Sequence, residues 1–327
     1  MSIKHSEVPF EQILEILRDE EIVPVAPLFR LSDLQGREWE QFVLTWPKFD
    51  DERRREIMRH LVDIHEGNFI VLFDRVFSLG LGDPCAPVRL AAVDGLWLSE
   101  DSSQVRPLIR LLESDPDVGV RAAAAASLGQ LYFNAICQII PERYAPLILK
   151  ALMGQLMAED TPTPVRLSAL EGASYSGEKR IPPLIAEAYE SETMEFQLSA
   201  VRSMGLTGEK RWVPTLVAEM ANPNPDMRVA AATAAGNIGD QGAVSELVEL
   251  LDDVSLAAQI AAAYALGAIG GETAQAVLTE LMQENEQPEL LEAAAEALDE
   301  MEPFSMALSD LYLDQDDEDD FDDYDLD

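Results

Sequence analysis

The chain reads as an all-α protein, a solenoid of helical hairpins stacked side by side and followed by a disordered acidic tail. Three observations predict this. One unit recurs about every 31 residues over most of the 327-residue chain. Within each unit, apolar residues fall at helical spacing in two successive stretches. The last fourteen residues, DQDDEDDFDDYDLD from Asp314, hold ten acids, which repel one another and offer no face to pack.

Residues 1–67 are expected to form an irregular N-terminal helical cap, because a repeat array must shield its terminal apolar face. Ser32 stands where it can cap a helix carrying Leu34, Trp39, Phe42 and Trp46. The run DDERRREIMRHLVDI begins with acids, which suits a helix N-terminus.

The repeat array is expected over residues 68–303. Its segments PVRLAAVDGLWL, GVRAAAAASLGQL, PVRLSALEGASY, EFQLSAVRSMGL, DMRVAAATAAGNIG, AAQIAAAYALGAIG and ELLEAAAEALDEM align without gaps. A reference column, numbered zero, runs through Arg89, Arg121, Arg166, Gln197, Arg228, Gln259 and Leu291. Before each segment lies a shorter amphipathic helix, as in VRPLIRLLES and WVPTLVAEMA. Pro107, Pro146, Pro182 and Pro214 sit near the starts of these, where a missing N–H is harmless. Gly177 and Gly208 follow the preceding helices, where a left-handed residue closes the turn. The near-duplicates SGEKR from Ser176 and TGEKR from Thr207 are thus inter-unit turns with solvated charges. A phosphate loop needs a Gly-Lys dipeptide, which never occurs, and a zinc finger needs histidines, which end at His65.

On a helical wheel, columns −1, +3, +4 and +7 share one side, which Val88, Val120, Leu128, Val201 and Leu266 mark as core. Column +3 is Ala in every unit, column +2 only Ala or Ser, and column +6 only Gly, Ser or Ala. Such small side chains let neighbouring helices stack closely. Column −6 holds Asp83, Asp115, Asp160, Ser191, Asn222, Asp253 and Asn285. These are read as helix caps, with the column-zero Arg able to bridge to the cap of a neighbouring unit or to remain solvated.

The pattern D-x(4)-VR-x-x-AA-x-ALG-x-IG, cleanest in NPNPDMRVAAATAAGNIG and DVSLAAQIAAAYALGAIGG, resembles HEAT repeats of the short type also found in phycobilin lyases. That resemblance implies a right-handed α-α superhelix, a HEAT/ARM-like solenoid that binds other proteins along the concave face lined by its second helices. The insertion YFNAICQIIPER breaks the period once and is expected to lengthen one helix and its connection. Residues 304–327 form the tail. It is read as solubilising, or as an acidic-aromatic peptide whose Phe321, Tyr324 and Leu326 dock on a basic partner or on the chain's own arginines.

With 61 acids against 23 bases the net charge is −38, which disfavours nucleic acid and anionic membrane partners. Two cysteines make no disulfide framework, no signal core opens the chain, and a cytoplasmic monomer is expected. Glu56, His60 and Asp63 share a helix face but lack the HExxH arrangement, so no metal is expected. Deoxyhypusine hydroxylases, which resemble this chain in repeat type, use several His-Glu pairs for iron, and only His65-Glu66 occurs here. With no catalytic residue and no cofactor evident, the expectation is a non-enzymatic scaffold or adaptor. Its binding row would combine exposed aliphatics in column +1, Leu90, Leu167, Leu198, Val229 and Ile260, with Asp94, Glu171, Arg202 and Tyr264 in column +5. The competing view is that neighbouring units cover column +1. The partner would be a basic or amphipathic protein segment. Two alternatives come from the same resemblance. One is a phycobilin-lyase-like chromophore attachment or modifying factor holding a tetrapyrrole. The other is a nucleic-acid reader like some HEAT-like glycosylases, which the charge disfavours.

Overall fold

A computed structural model describes residues 8–67, 71–97 and 99–301, and these form helices and turns with no strand among them. The acidic tail lies outside the described residues. The chain divides into two compact units, one ending at Glu178 and one beginning at Lys179. The first contains α1 (Phe10–Asp19), α2 (Val25–Leu28), α3 (Gly36–Thr45), α4 (Asp51–Gly67), α5 (Asp74–Gly80), α6 (Ala86–Gly95), α7 (Val105–Ser114), α8 (Val118–Ile136), α9 (Ala145–Met157) and α10 (Thr163–Ala173). The second contains α11 (Ile181–Tyr189), α12 (Met194–Leu206), α13 (Val213–Glu219), α14 (Pro225–Ile238), α15 (Val244–Leu250), α16 (Leu256–Ile269), α17 (Glu272–Glu284) and α18 (Pro288–Met301).

From α5 onward consecutive helices pack as hairpins, and in each unit the second helices also pack on one another: α4, α6, α8 and α10 in the first, α12, α14, α16 and α18 in the second. The alanines of column +3 are wholly buried in all seven hairpins, as are Val88, Val120, Leu128, Val201 and Leu266. Gly177 and Gly208 have φ of 63° and 66°, the left-handed turn their position requires. The insertion extends α8 to 19 residues.

The small columns meet across a seam. A Cβ built on Gly205 would lie 2.5 Å from the Ala234 Cα, and one on Gly267 only 2.7 Å from the Ala297 Cβ. Gly129 and Gly172 face each other in the first unit in the same way. Each contact joins column +8 of one second helix to column +6 of the next. Glycine is required on one side because a side chain would force the backbones apart.

Asp–Arg pairs run beside this seam. Arg89 donates two 2.7 Å bonds to Asp115 of the following hairpin and further bonds to the Asp83 and Pro84 carbonyls. Arg228 does the same with Asp253 and with the Asn222 and Pro223 carbonyls. Arg89 and Arg228 therefore do bridge to the next hairpin, whereas Arg166 donates to the Ala158 and Glu159 carbonyls of its own turn. The column −6 residues, however, are not the helix caps they resemble. They lie two residues before the caps and close local turns, the Asp115 carboxylate accepting from the Asp117 N–H and Asp253 from Ser255. Asp117 and Asn224 are the caps proper. Arg121 departs from the pattern: the lengthened hairpin puts Gln155 in reach, and Arg121 donates to its Oε1 rather than to Asp160.

α4 follows the same rule although its sequence hides it. Arg54 donates to Asp83 at 2.8 and 3.2 Å, and Trp46 and the Cys85 N–H donate to the same carboxylate. Ser32 does not cap α3, whose N-cap is Gln35; its hydroxyl accepts instead from the Leu72 N–H. The basic side chains of the GEKR turns are exposed as expected, Lys210 pairing with Asp240 at 3.0 Å and Arg211 lying over Trp212.

Candidate functional site

Seen down a second helix, columns +1 and +8 point toward the next helix and columns +2 and +6 toward the previous one, leaving columns +5 and +9 between. That geometry explains the accessibility of the expected binding row. Asp94 on α6, Arg202 on α12 and Tyr264 on α16 are exposed, while Glu171 on α10 is half-buried. The aliphatics do not form an exposed row. Leu90, Leu167, Leu198, Val229 and Ile260 are all half-buried, because column +1 shares its side of the helix with the close-packed column +8. α6, α12 and α16 thus each offer an open polar or aromatic position flanked by a partly covered apolar shoulder.

Three aromatic residues at this surface escape the column analysis. Trp97 follows α6 and is 46% exposed, and Phe133 lies on the extended part of α8 and is 37% exposed. The Phe133 ring sits 5.1 Å from that of Tyr175, just beyond α10. Phe133 was hidden because it falls in the insertion, past the end of the aligned repeat. Burial, then the charge of Glu171, raises the Tyr175 hydroxyl above the usual phenol range. Large aromatics on an open strip are the side chains that most often anchor a protein partner.

Trp97 also lines a cleft of about 270 Å³ with Val62, His65, Glu66, Asp94 and Gly95. Asp94 is exposed as a whole residue, yet desolvation of its carboxyl, and behind it the charge of Glu66, raises its pKa. In the second unit the Tyr264 hydroxyl donates to Glu296 at 2.5 Å, and this bond, with some burial, pushes its pKa up to about 12. Tyr189 makes the equivalent bond to Glu219, and burial, then that bond, pushes it up to about 12 as well.

None of this brings a nucleophile to a base. Cys85 and Cys137 are free thiols. His60 lies 3.9 Å from Asp63, and no group of His, Cys, Asp or Glu among the described residues is placed to hold a metal ion. No described helix is long and apolar enough to cross a membrane.

Stacked two-helix units that close over small residues and leave one strip of each second helix open define an α-helical repeat scaffold. The chain belongs to the HEAT-repeat family, whose model matches residues 75–172 and 213–299. No curated protein sequence matches the chain. Among solved structures, it is similar to the complex of CpcE and CpcF of phycocyanin lyase from Nostoc sp. PCC7120. The identity there is 20% over 92% of this chain and 100% of that one, with a TM-score of 0.53. YibA of Escherichia coli matches at 18% identity over 81% and 98% of the two chains, TM-score 0.38. Human deoxyhypusine hydroxylase matches at 20% over 80% and 95%, TM-score 0.33.

Proposed function

We infer that this protein works by holding a segment of another protein against the open strip of its second helices. The observation that carries this is the repeated pairing of an exposed position, Asp94, Arg202 or Tyr264, with a half-covered aliphatic shoulder. Apolar shoulders supply contact area and the charged row selects the partner. With a net charge of −38, that partner is a basic or amphipathic segment. Charge reversal at Asp94, Glu171 and Glu296 is expected to abolish capture of such a partner in pull-downs. If the same proteins are recovered at the same yield, the strip is not the binding surface.

A second reading has at least as much support from the comparisons: a phycobilin-lyase-like factor that binds its protein partner in order to attach or modify a chromophore. The likeness to the lyase complex spans nearly all of both chains. That neighbour is itself an assembly of two proteins, which favours a protein partner under either reading. The two readings share the binding step and part at the tetrapyrrole. Mixing the protein with a linear tetrapyrrole and an acceptor protein is expected to give a new visible absorbance band if the second holds. An unchanged spectrum with partner binding intact leaves the scaffold reading alone.

A further inference from the structure

The cleft lined by Val62, His65, Glu66, Asp94, Gly95 and Trp97 lies wholly within the first unit. Its volume of about 270 Å³ is below the roughly 300–1,000 Å³ of sites that enclose a small molecule, and suits a single side chain. Two carboxylates line it, Asp94 and Glu66, and among the described residues neither makes an ion pair or a side-chain hydrogen bond. Desolvation, then the charge of Glu66, disfavours the ionised Asp94 carboxyl, and a cation seated beside both relieves that cost. The wall behind them is braced, because the His65 ring packs edge-on against Phe77 with centroids 5.9 Å apart. The chain's other tryptophans show what such a ring takes. Arg75 lies 4.4 Å over Trp39 and Arg211 4.9 Å over Trp212, whereas Trp46 is buried and donates to Asp83. Among the described residues no arginine or lysine of the chain lies over Trp97, which is 46% exposed.

We propose that this cleft receives an arginine side chain of the bound protein segment, its guanidinium stacked on Trp97 and paired with Asp94 and Glu66. The proposal rests on the open strip being the docking surface and names the residue that the strip selects. Arginine fits better than lysine on each count. Its planar group stacks on an indole and pairs with carboxylates at the same time, and it is less strongly hydrated, so it enters a cleft walled by Val62 and Gly95 at smaller cost. The net charge of −38 draws any cation toward the molecule; the flat aromatic wall discriminates among them.

Titrating the full chain with Nα-acetyl-arginine amide, and with the neutral isostere Nα-acetyl-citrulline amide, tests this through the indole N–H NMR signals of its four tryptophans. The Trp97 signal is assigned by its loss in Trp97→Phe. The expected result is a saturable shift of that signal with the arginine compound alone, while the Trp46 signal stays fixed. Asp94→Asn with Glu66→Gln is expected to weaken binding about tenfold or more, as the loss of hydrogen bonds to a charged group implies, with the other indole signals unchanged as the sign of an intact fold. An unmoved Trp97 signal overturns the proposal, as does a double variant that binds as tightly as wild type. Equal shifts with citrulline, or equal affinity for Nα-acetyl-lysine amide, overturn the guanidinium assignment. The pull-downs separate this from the wider reading. If capture depends on the strip but Trp97 does not move, the arginine assignment falls and the strip stands. If the arginine compound binds at Trp97 while charge reversal leaves capture intact, the cleft keeps its ligand class and the strip falls.

Discussion

The two units hold their second helices side by side with the same two devices in different proportions. The first has two ion pairs and the Gly129–Gly172 contact; the second has one ion pair, Arg228–Asp253, and three glycine contacts. In the first, consecutive hairpins are tied by two buried ion pairs, Arg54–Asp83 and Arg89–Asp115, and large apolar residues such as Ile57 and Met58 fill α4. In the second, column zero is Gln at two of its positions, and the side chains of Gln197 and Gln259 donate only to their own turns, at the Ser191 and Asp253 carbonyls. There the stacking rests on Gly205, Gly236 and Gly267 meeting Ala234, Ala265 and Ala297. One repeat grammar therefore supports two kinds of adhesion, ion pairs between hairpins and close glycine contacts between second helices, and both units use both.

The largest expected effect tests the charged side. Asp83 is nearly wholly buried and serves Arg54, Trp46 and the Cys85 N–H together. Asp83→Ala orphans Trp46 and the Cys85 N–H and leaves the buried Arg54 only Asp51 and the Phe49 carbonyl. It should cost about 3–5 kcal/mol, the usual consequence of breaking a buried pair. Asp253→Ala, at a more open pair, should cost nearer 1.5–3 kcal/mol, the range of a hydrogen bond to a charged group. Denaturant melts decide it, and equal losses at the two sites would erase the distinction between the units.

The packed side is tested by glycine. Gly205→Ala places its Cβ against the Ala234 backbone and should cost about 1–3 kcal/mol through overpacking. Gly154 in α9 has open space where a Cβ would go, so Gly154→Ala should stabilise by about 0.5–1 kcal/mol. Opposite signs at two helical glycines, read from the same melts, would sharpen the comparison; matching signs would break it.

The smallest effect is a pH dependence. The bond from Arg228, then that from the Ser255 N–H, holds Asp253 below the usual carboxylate range. Its stabilisation is therefore complete above the unfolded value of about pH 3.9 and is lost as pH falls through the lower folded value. Arg228→Gln should flatten that acid limb in melts between neutral and acid pH. An unaltered limb would mean the pair contributes nothing to the second unit's stability.

Much of this was legible in the amino-acid order. Seven invariant alanines, the left-handed Gly177 and Gly208, and the reach of Arg89 and Arg228 to the next hairpin all follow from periodicity and side-chain size, which act locally and recur. α4 was not recognised as a member of the stack because Ile57 stands where the other units have Ala, although Arg54 pairs as Arg89 does. The turn role of column −6 reads like a cap in the sequence because Asp and Asn serve both, and only the position of the helix start separates them.

The candidate site was legible in part. Which positions face away from the core follows from the wheel, so Asp94, Arg202 and Tyr264 could be placed on the open strip from sequence. That Leu90, Leu167, Leu198, Val229 and Ile260 are half-covered depends on how near the next helix comes, and that Phe133 meets Tyr175 depends on where the lengthened α8 ends. Repetition along the chain determines which face of each helix is buried, because that depends on spacing within one helix. Distances between helices decide what remains exposed, because they are set jointly by side chains some thirty residues apart.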